Sequence, residues 1–179
     1  MATCIKAKRF FTPDNSLRLL QLIIAIFLTS ITFSWEDKGI KYSDLNSGDY
    51  DEGGTIVFFN FVAILSLIFL ACVLTYCIIW SPKLISTRMD MLSSGSLSIL
   101  MLIATVVLAH GISNLGKSVA VKEAGLHFGY LETAVVFGLI LAMLLAVSVA
   151  FSLCHYRRRD HIMFRDSRSM TDLPDDIPT

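Results

Sequence analysis

Charged residues are scarce in this chain, and almost none of them lies inside four long apolar stretches. The 179 residues are 54% hydrophobic and 17% charged, whereas a soluble domain of this length needs more charge to cover its surface. Each stretch is long enough to cross a bilayer, because about 20 helical residues span roughly 30 Å of hydrocarbon. The stretches are residues 17–35, 55–80, 91–112 and 133–154. This pattern predicts an all-α membrane protein, a four-helix transmembrane bundle with short loops.

Cysteine is missing from the two predicted outer loops, and the chain has no Asn-x-Ser/Thr sequence. An extracellular disulfide framework and N-glycosylation are therefore not expected. The outer loops, residues 36–54 and about 113–132, are short, and the first of them contains four glycines. We expect both loops to be small, unstapled and mobile, with Trp35 as an interfacial anchor.

The basic residues are distributed unevenly between the two sides of the membrane. With the N-terminus in the cytosol, eleven Lys and Arg lie in inner segments and four in outer loops. The positive-inside rule then predicts that both termini are cytosolic. The first apolar run exceeds the length of about 7–15 residues that is usual in a signal peptide, which favours an uncleaved first span over a cleaved leader.

The chain divides into three predicted parts. Residues 1–16 form a short basic cytosolic segment, and residues 17–154 form the membrane domain. Residues 155–179 are polar and contain Pro174 and Pro178, so we expect a disordered cytosolic tail.

Small residues recur along the fourth span and at the start of the third, where close helix contact is possible. Lipid tails are as apolar as Leu, so helices in a membrane associate largely through van der Waals contact between closely approaching backbones. The stripe serves either packing inside the bundle or packing against a second copy or another protein. The predicted helix-packing residues are Ala134, Gly138, Ala142, Ala146 and Ala150 on the fourth span, and Ser94 and Ser98 on the third.

Two opposite charges lie at the same depth near the inner membrane edge. Arg18 begins the first span and Asp90 begins the third. Pairing offsets part of the cost of holding either charge near hydrocarbon. The alternative is that Arg18 extends to the lipid headgroups while Asp90 caps its own helix. The two polar side chains within spans, Gln21 and Asn60, are each expected to form hydrogen bonds across helices.

These features resemble those of the MARVEL and plant CASP-like tetraspan superfamily. The first span opens Ser16-Leu17-Arg18-Leu19-Leu20 and the third Met89-Asp90-Met91-Leu92, and a basic residue in span one with an acidic residue in span three is typical of that group. The resemblance covers residues 16–155. Small insect septate-junction tetraspans also share the chain's size, its acidic first outer loop and its short basic tail. The resemblance implies roles in membrane apposition, junction assembly or vesicle cargo sorting.

The inner boundary of the fourth span has features of a lipid-modified, lipid-binding tail. Cys154 beside basic residues is a predicted S-palmitoylation site. Three arginines are predicted to contact anionic inner-leaflet lipids, at about 1 kcal/mol each, or else to act only as orientation signals. A phosphate on the nearby hydroxyls would weaken that contact. The arginines are Arg157, Arg158 and Arg159, and the predicted phosphorylation sites are Ser167, Ser169 and Thr171.

The sequence contains no pattern typical of catalysis or of metal binding. The four histidines have no ligand spacing on one element, and no Ser/His/Asp arrangement or phosphate-binding glycine loop occurs. We therefore expect no enzymatic activity, no cofactor and no nucleic-acid partner. The predicted partners are the bilayer, anionic lipids, and other membrane proteins or a second copy of the chain.

Three classes of function are compatible with these observations. The first is a scaffold that organises a membrane subdomain or a cell junction at the plasma membrane. The second is a trafficking or cargo-sorting adaptor of vesicles. The third is an oligomeric channel or carrier, which is disfavoured because channels and carriers usually have ionisable groups facing the bundle interior and this chain has none in mid-membrane.

Overall fold

The computed structural model describes residues 13–41, 44–46, 53–79 and 87–171. Within them, four helices are long and apolar enough to cross a membrane, which confirms the predicted fold class. The spans are Asn15–Phe33, Gly54–Tyr76, Met89–Leu115 and Gly129–Cys154. Their bounds differ by up to four residues from the predicted runs: the third and fourth spans begin earlier, and the first and second end earlier.

The elements follow one another in a simple up-and-down order. The helices are α1 (Pro13–Phe33), α2 (Gly53–Ile79), α3 (Thr87–Leu115), the short α4 (Val119–Ala124) and α5 (Gly129–Thr171). Between α1 and α2 lie β1 (Glu36–Asp37), β2 (Ile40–Lys41) and a 3₁₀ turn, Asp44–Asn46. The inner end of the bundle is defined here as the end where α1 begins, and the outer end as the end where α1 finishes.

The four long helices surround one apolar core. Going around the bundle, α1 packs on α2, α2 on α3, α3 on α5, and α5 on α1. The core runs the length of the bundle and includes Leu28, Phe59, Met101 and Leu145, all with no exposed surface. Large apolar side chains on the opposite faces, such as Phe61 and Met143, are exposed in the isolated chain, as expected of surfaces that contact lipid.

The fourth spanning helix is longer than the sequence pattern predicts. α5 continues from the membrane to Thr171, whereas a disordered tail was expected from residue 155. Residues 154–171 contain neither Gly nor Pro, and the first proline beyond them is Pro174, so nothing in this segment forces the helix to end. The polar composition of this segment predicts that it lies outside the hydrocarbon, but it does not predict where the helix ends. Residues 172–179 lie outside the described residues.

The first outer loop contains ordered structure where mobility was expected. Strands β1 and β2 form an antiparallel hairpin in which Glu36 pairs with Lys41 and Asp37 with Ile40. The two residues at its tip, Lys38 and Gly39, have φ values of 51° and 81°. Positive φ at both central positions is the type I′ turn, whose twist matches that of the flanking strands.

Candidate functional site

A buried ion pair lies at the inner end of the bundle. Arg18 Nη2 donates to both carboxylate oxygens of Asp90, at 2.8 and 2.9 Å. The Arg18 side chain is 8% exposed and that of Asp90 is 19% exposed. The same nitrogen donates to Ser94 Oγ at 3.0 Å. α1 and α3 are not neighbours around the bundle, so this guanidinium joins two helices across its interior.

Gln21, one turn further along α1, extends the network to α5. Its Oε1 accepts from Arg18 Nη1 at 3.4 Å. Its Nε2 donates to the Leu144 carbonyl oxygen and to Ser148 Oγ, both at 2.7 Å. Gln21 has no exposed surface, so the amide satisfies its hydrogen bonds entirely within the protein. Arg18, Gln21, Asp90, Ser94 and Ser148 are called the inner polar network below.

The inner polar network fixes how three helices are arranged. Its polar groups are largely removed from water, where each would be costly unless paired. Pairing them requires the faces of α1, α3 and α5 that bear them to point at one another. Hydrogen bonds of this kind specify helix rotation as well as contributing energy. The network therefore fixes the rotation of α1, α3 and α5 relative to one another.

The small-residue stripe of α5 is divided between two surfaces. Ala134, Gly138 and Ala142 are buried, whereas Ala146 and Ala150 are exposed. A repeat of four residues advances about 40° beyond a full turn each time, because a helix has 3.6 residues per turn. The four steps from Ala134 to Ala150 therefore add up to a rotation of about 160°, which takes the stripe out of the core. The interpretation of all five as one packing stripe needs this correction for Ala146 and Ala150.

The buried part of the stripe includes a close approach of α5 to its neighbours. A Cβ atom added to Gly138 would lie 2.6 Å from Thr105 Oγ1 and 3.2 Å from Phe59 Cε2. Glycine therefore lets α3 and a ring from α2 come close to the α5 backbone. Ser98 adds a direct link between α3 and α5, since its hydroxyl donates to the Ala142 carbonyl oxygen at 2.8 Å.

The two outer loops dock on each other and close the outer end of the core. Trp35 is 2% exposed and stacks on Phe128, with ring centroids 5.7 Å apart and an interplanar angle of 16°. Its indole Nε1 donates to the His127 carbonyl oxygen at 3.4 Å. Trp35 was expected to be an interfacial anchor, but the second outer loop covers it.

Polar contacts hold the hairpin against the second loop. Asp37 Oδ2 accepts from the His127 backbone N–H at 2.7 Å. Lys38 Nζ donates to the carbonyl oxygen of Ala124, the last residue of α4, at 2.8 Å. A cation at this position also complements the helix dipole. Residues 35–41 and 119–128 are called the outer cap below.

An open cleft of about 280 Å³ lies where the outer cap meets the start of α5. Its lining includes Glu36, Asp37, His127 and Tyr130. In the part of the chain that the structure describes, no group of three or more His, Cys, Asp or Glu side chains could hold a metal ion.

The predicted tail sites are only partly within the described structure. Cys154 is exposed at the inner end of the fourth span. The other sites lie on the helical backbone of α5, but their side chains are outside the described set. They are Arg157, Arg158, Arg159, Ser167, Ser169 and Thr171.

Asn60 departs from its expected role. It is 4% exposed, and neither Nδ2 nor Oδ1 has a hydrogen-bond partner, whereas a bond across helices was expected.

The sequence pattern did not predict the outer cap. The signal that could have indicated it is the Asp37-Lys38-Gly39 sequence directly after Trp35, because a polar residue followed by Gly suits a tight hairpin turn.

Comparison with known protein families identifies a match over most of the chain. The family model for MARVEL, described as a membrane-associating domain, matches residues 9–154. No curated protein and no solved structure matches the chain. The matched region includes all four spans, the inner polar network and the outer cap.

Proposed function

Because the chain belongs to the MARVEL family of tetraspan membrane proteins, we propose that it organises a membrane subdomain or a cell junction without enzymatic activity. The resemblance in sequence to this family is confirmed by the match. The chain is an integral membrane protein, and MARVEL is a structural membrane family. The scaffold role and the plasma-membrane location are the proposal.

The observation that supports this role most directly is the division of the α5 stripe. Gly138 and Ala142 are used inside the bundle, whereas Ala146 and Ala150 are exposed on the same helix. Small residues on a lipid-facing surface let a second helix approach closely, which is how helices associate where no hydrophobic force drives them together. The proposed contact is therefore lateral, between copies of the chain or with another membrane protein.

Disulfide cross-linking tests the lateral contact. In a background without native cysteines, Ala150→Cys should form cross-linked dimers under mild oxidation in native membranes. Phe151→Cys is the matched control: Phe151 is 53% exposed, lies at nearly the same depth and points about 100° away around the helix. Equal cross-linking at the two positions, or none at Ala150→Cys, would contradict a contact between copies of the chain.

Localisation tests the organising role itself. A tagged copy in epithelial cells should concentrate at lateral cell contacts and stay there when protein synthesis is stopped. Accumulation on moving vesicles would instead support a cargo-sorting adaptor. Ion or solute flux through the purified, reconstituted protein would contradict both roles in favour of a channel or carrier.

A further inference from the structure

Asn60 is the exception among the buried polar residues. Each of the other buried polar residues takes part in at least one hydrogen bond, whereas both polar side-chain atoms of Asn60 have none within the described part of the chain. The bonded residues are Arg18, Gln21, Thr32, Ser66, Ser94, Thr105 and Ser148.

The position of Asn60 limits which groups could form hydrogen bonds with its side chain. It lies roughly 10 Å along α2 from Gly53, at 1.5 Å per residue, which is within the hydrocarbon. Lipid tails offer no donor or acceptor. Thr32, Ser66 and Thr105 satisfy their hydroxyls by donating to a carbonyl one turn back on their own helices. The Asn60 amide has two donors and an acceptor, and it makes no such local bond.

We propose that Asn60 binds one ordered water molecule inside the transmembrane bundle. Water fits an amide that lacks a protein partner, because it can accept from Nδ2 and donate to Oδ1 at the same time. It then keeps one hydrogen and one lone pair for a further contact, and buried waters in proteins typically make about three hydrogen bonds.

Thr105 supplies a polar atom at the same level of the bundle. Phe59, the residue before Asn60, and Thr105 both approach the position of a Gly138 Cβ atom. The Thr105 hydroxyl already donates to the Met101 carbonyl oxygen, so its own oxygen is available as an acceptor. A water at Asn60 would thus provide hydrogen bonds in the outer half of the bundle, as the inner polar network does in the inner half.

Nuclear magnetic resonance on the intact chain in deuterated nanodiscs tests this site. The protein is labelled with ¹⁵N at the side chains of asparagine and glutamine. The Asn60 amide hydrogens should show a cross-peak to water whose sign changes between NOESY and ROESY spectra, as bound water gives and chemical exchange does not. Asn60→Leu assigns the signal by removing it. If that variant fails to fold, substituting Asn15, Asn46 and Asn114 assigns it by elimination.

Gln21 provides the internal control, because it is the chain's one glutamine and is also fully buried. Its Nε2 donates to the Leu144 carbonyl oxygen and Ser148 Oγ, so no dipolar cross-peak to water is expected. Absence of the water cross-peak at Asn60, a peak due only to exchange, or peaks of equal intensity at Gln21 and Asn60 would overturn the proposal.

Discussion

At the scale of single residues, the Arg18–Asp90 pair is the feature whose removal should be most costly. Breaking a buried ion pair from one side commonly costs about 3–5 kcal/mol, because the remaining charge is left unpaired. We therefore expect Arg18→Glu or Asp90→Arg alone to lower the amount of protein at the cell surface, measured by surface biotinylation, and to lower the melting temperature in detergent.

The double variant should recover only part of that loss. Exchanging the charges restores the pair, but a carboxylate at position 18 cannot donate to Ser94 or Gln21 as Arg18 does. Glu132→Arg, at an exposed position, controls for charge reversal as such. Complete absence of recovery would indicate that Arg18 and Asp90 act separately, at the headgroups and at the helix cap.

The sequence predicts the depth of a residue in the membrane better than the direction in which its side chain points. Depth in the membrane follows from position in the sequence, so the juxtaposition of Arg18 and Asp90 could be proposed without coordinates. Rotation does not follow in the same way. The bond between Gln21 and Ser148 depends on the rotation of α5 relative to α1. The exposure of Ala146 and Ala150 follows from the extra 40° of rotation at each four-residue step, which the regular spacing does not make obvious.

At the scale of elements, the approach of α5 to α3 should depend on the missing side chain of Gly138. Gly138→Ala places a methyl group 2.6 Å from Thr105 Oγ1, so the Thr105 side chain or its helix must shift, at a cost of about 1–3 kcal/mol. We expect a lower melting temperature in detergent, and for Gly138→Leu retention in the endoplasmic reticulum.

Gly95→Ala is the matched control for this helix contact. Gly95 also lies within a spanning helix, but its added Cβ would meet only Val149 Cγ2, at 3.8 Å, an ordinary van der Waals distance. Equal melting temperatures for the two alanine variants would show that the approach at Gly138 does not limit stability.

The outer cap should open as a unit when its central stack is removed. Replacing a buried Trp by Ala typically costs about 3–5 kcal/mol, and Trp35 covers the outer end of the core. We expect Trp35→Ala to speed hydrogen–deuterium exchange in residues 36–41 and 119–128 while the middle of α3 stays protected. Tyr130→Ala, which removes a 66% exposed ring, should leave both segments unchanged. Fast hydrogen–deuterium exchange of these two segments in the unmodified protein would contradict a docked cap.

At the scale of the whole molecule, the four-span fold could be predicted because it depends on length and hydropathy alone. Each run is long enough to cross as a helix, and a helix satisfies its own backbone hydrogen bonds inside the hydrocarbon. The cap could not be predicted in this way, since it joins segments far apart in sequence through individual contacts. The end of α5 could not be predicted either, because the polarity of a sequence indicates where a helix leaves the bilayer and not where the helix ends.

The orientation of the molecule remains a prediction with a direct measurement. In a background without native cysteines, single cysteines at Ser47 and Lys117 should react with a membrane-impermeant thiol reagent on intact cells. A cysteine at Ser169 should react only after permeabilisation, because eleven basic residues favour the cytosolic side for the inner segments. Labelling at Ser169 on intact cells would contradict the predicted topology.

The outer cap also implies an order of events during biosynthesis. Lys38 and its partner Ala124 are 86 residues apart, so a ribosome adding 5–20 residues each second delivers them roughly 4–17 s apart. During that interval the first hairpin has no second loop to dock on, and Trp35 lacks the stacking partner Phe128. The second outer loop arrives between the third and fourth spans, and the cap can close only once it has been translocated. Closure of the cap therefore requires that three spans have been made and that the second outer loop lies on the same side of the membrane as the hairpin.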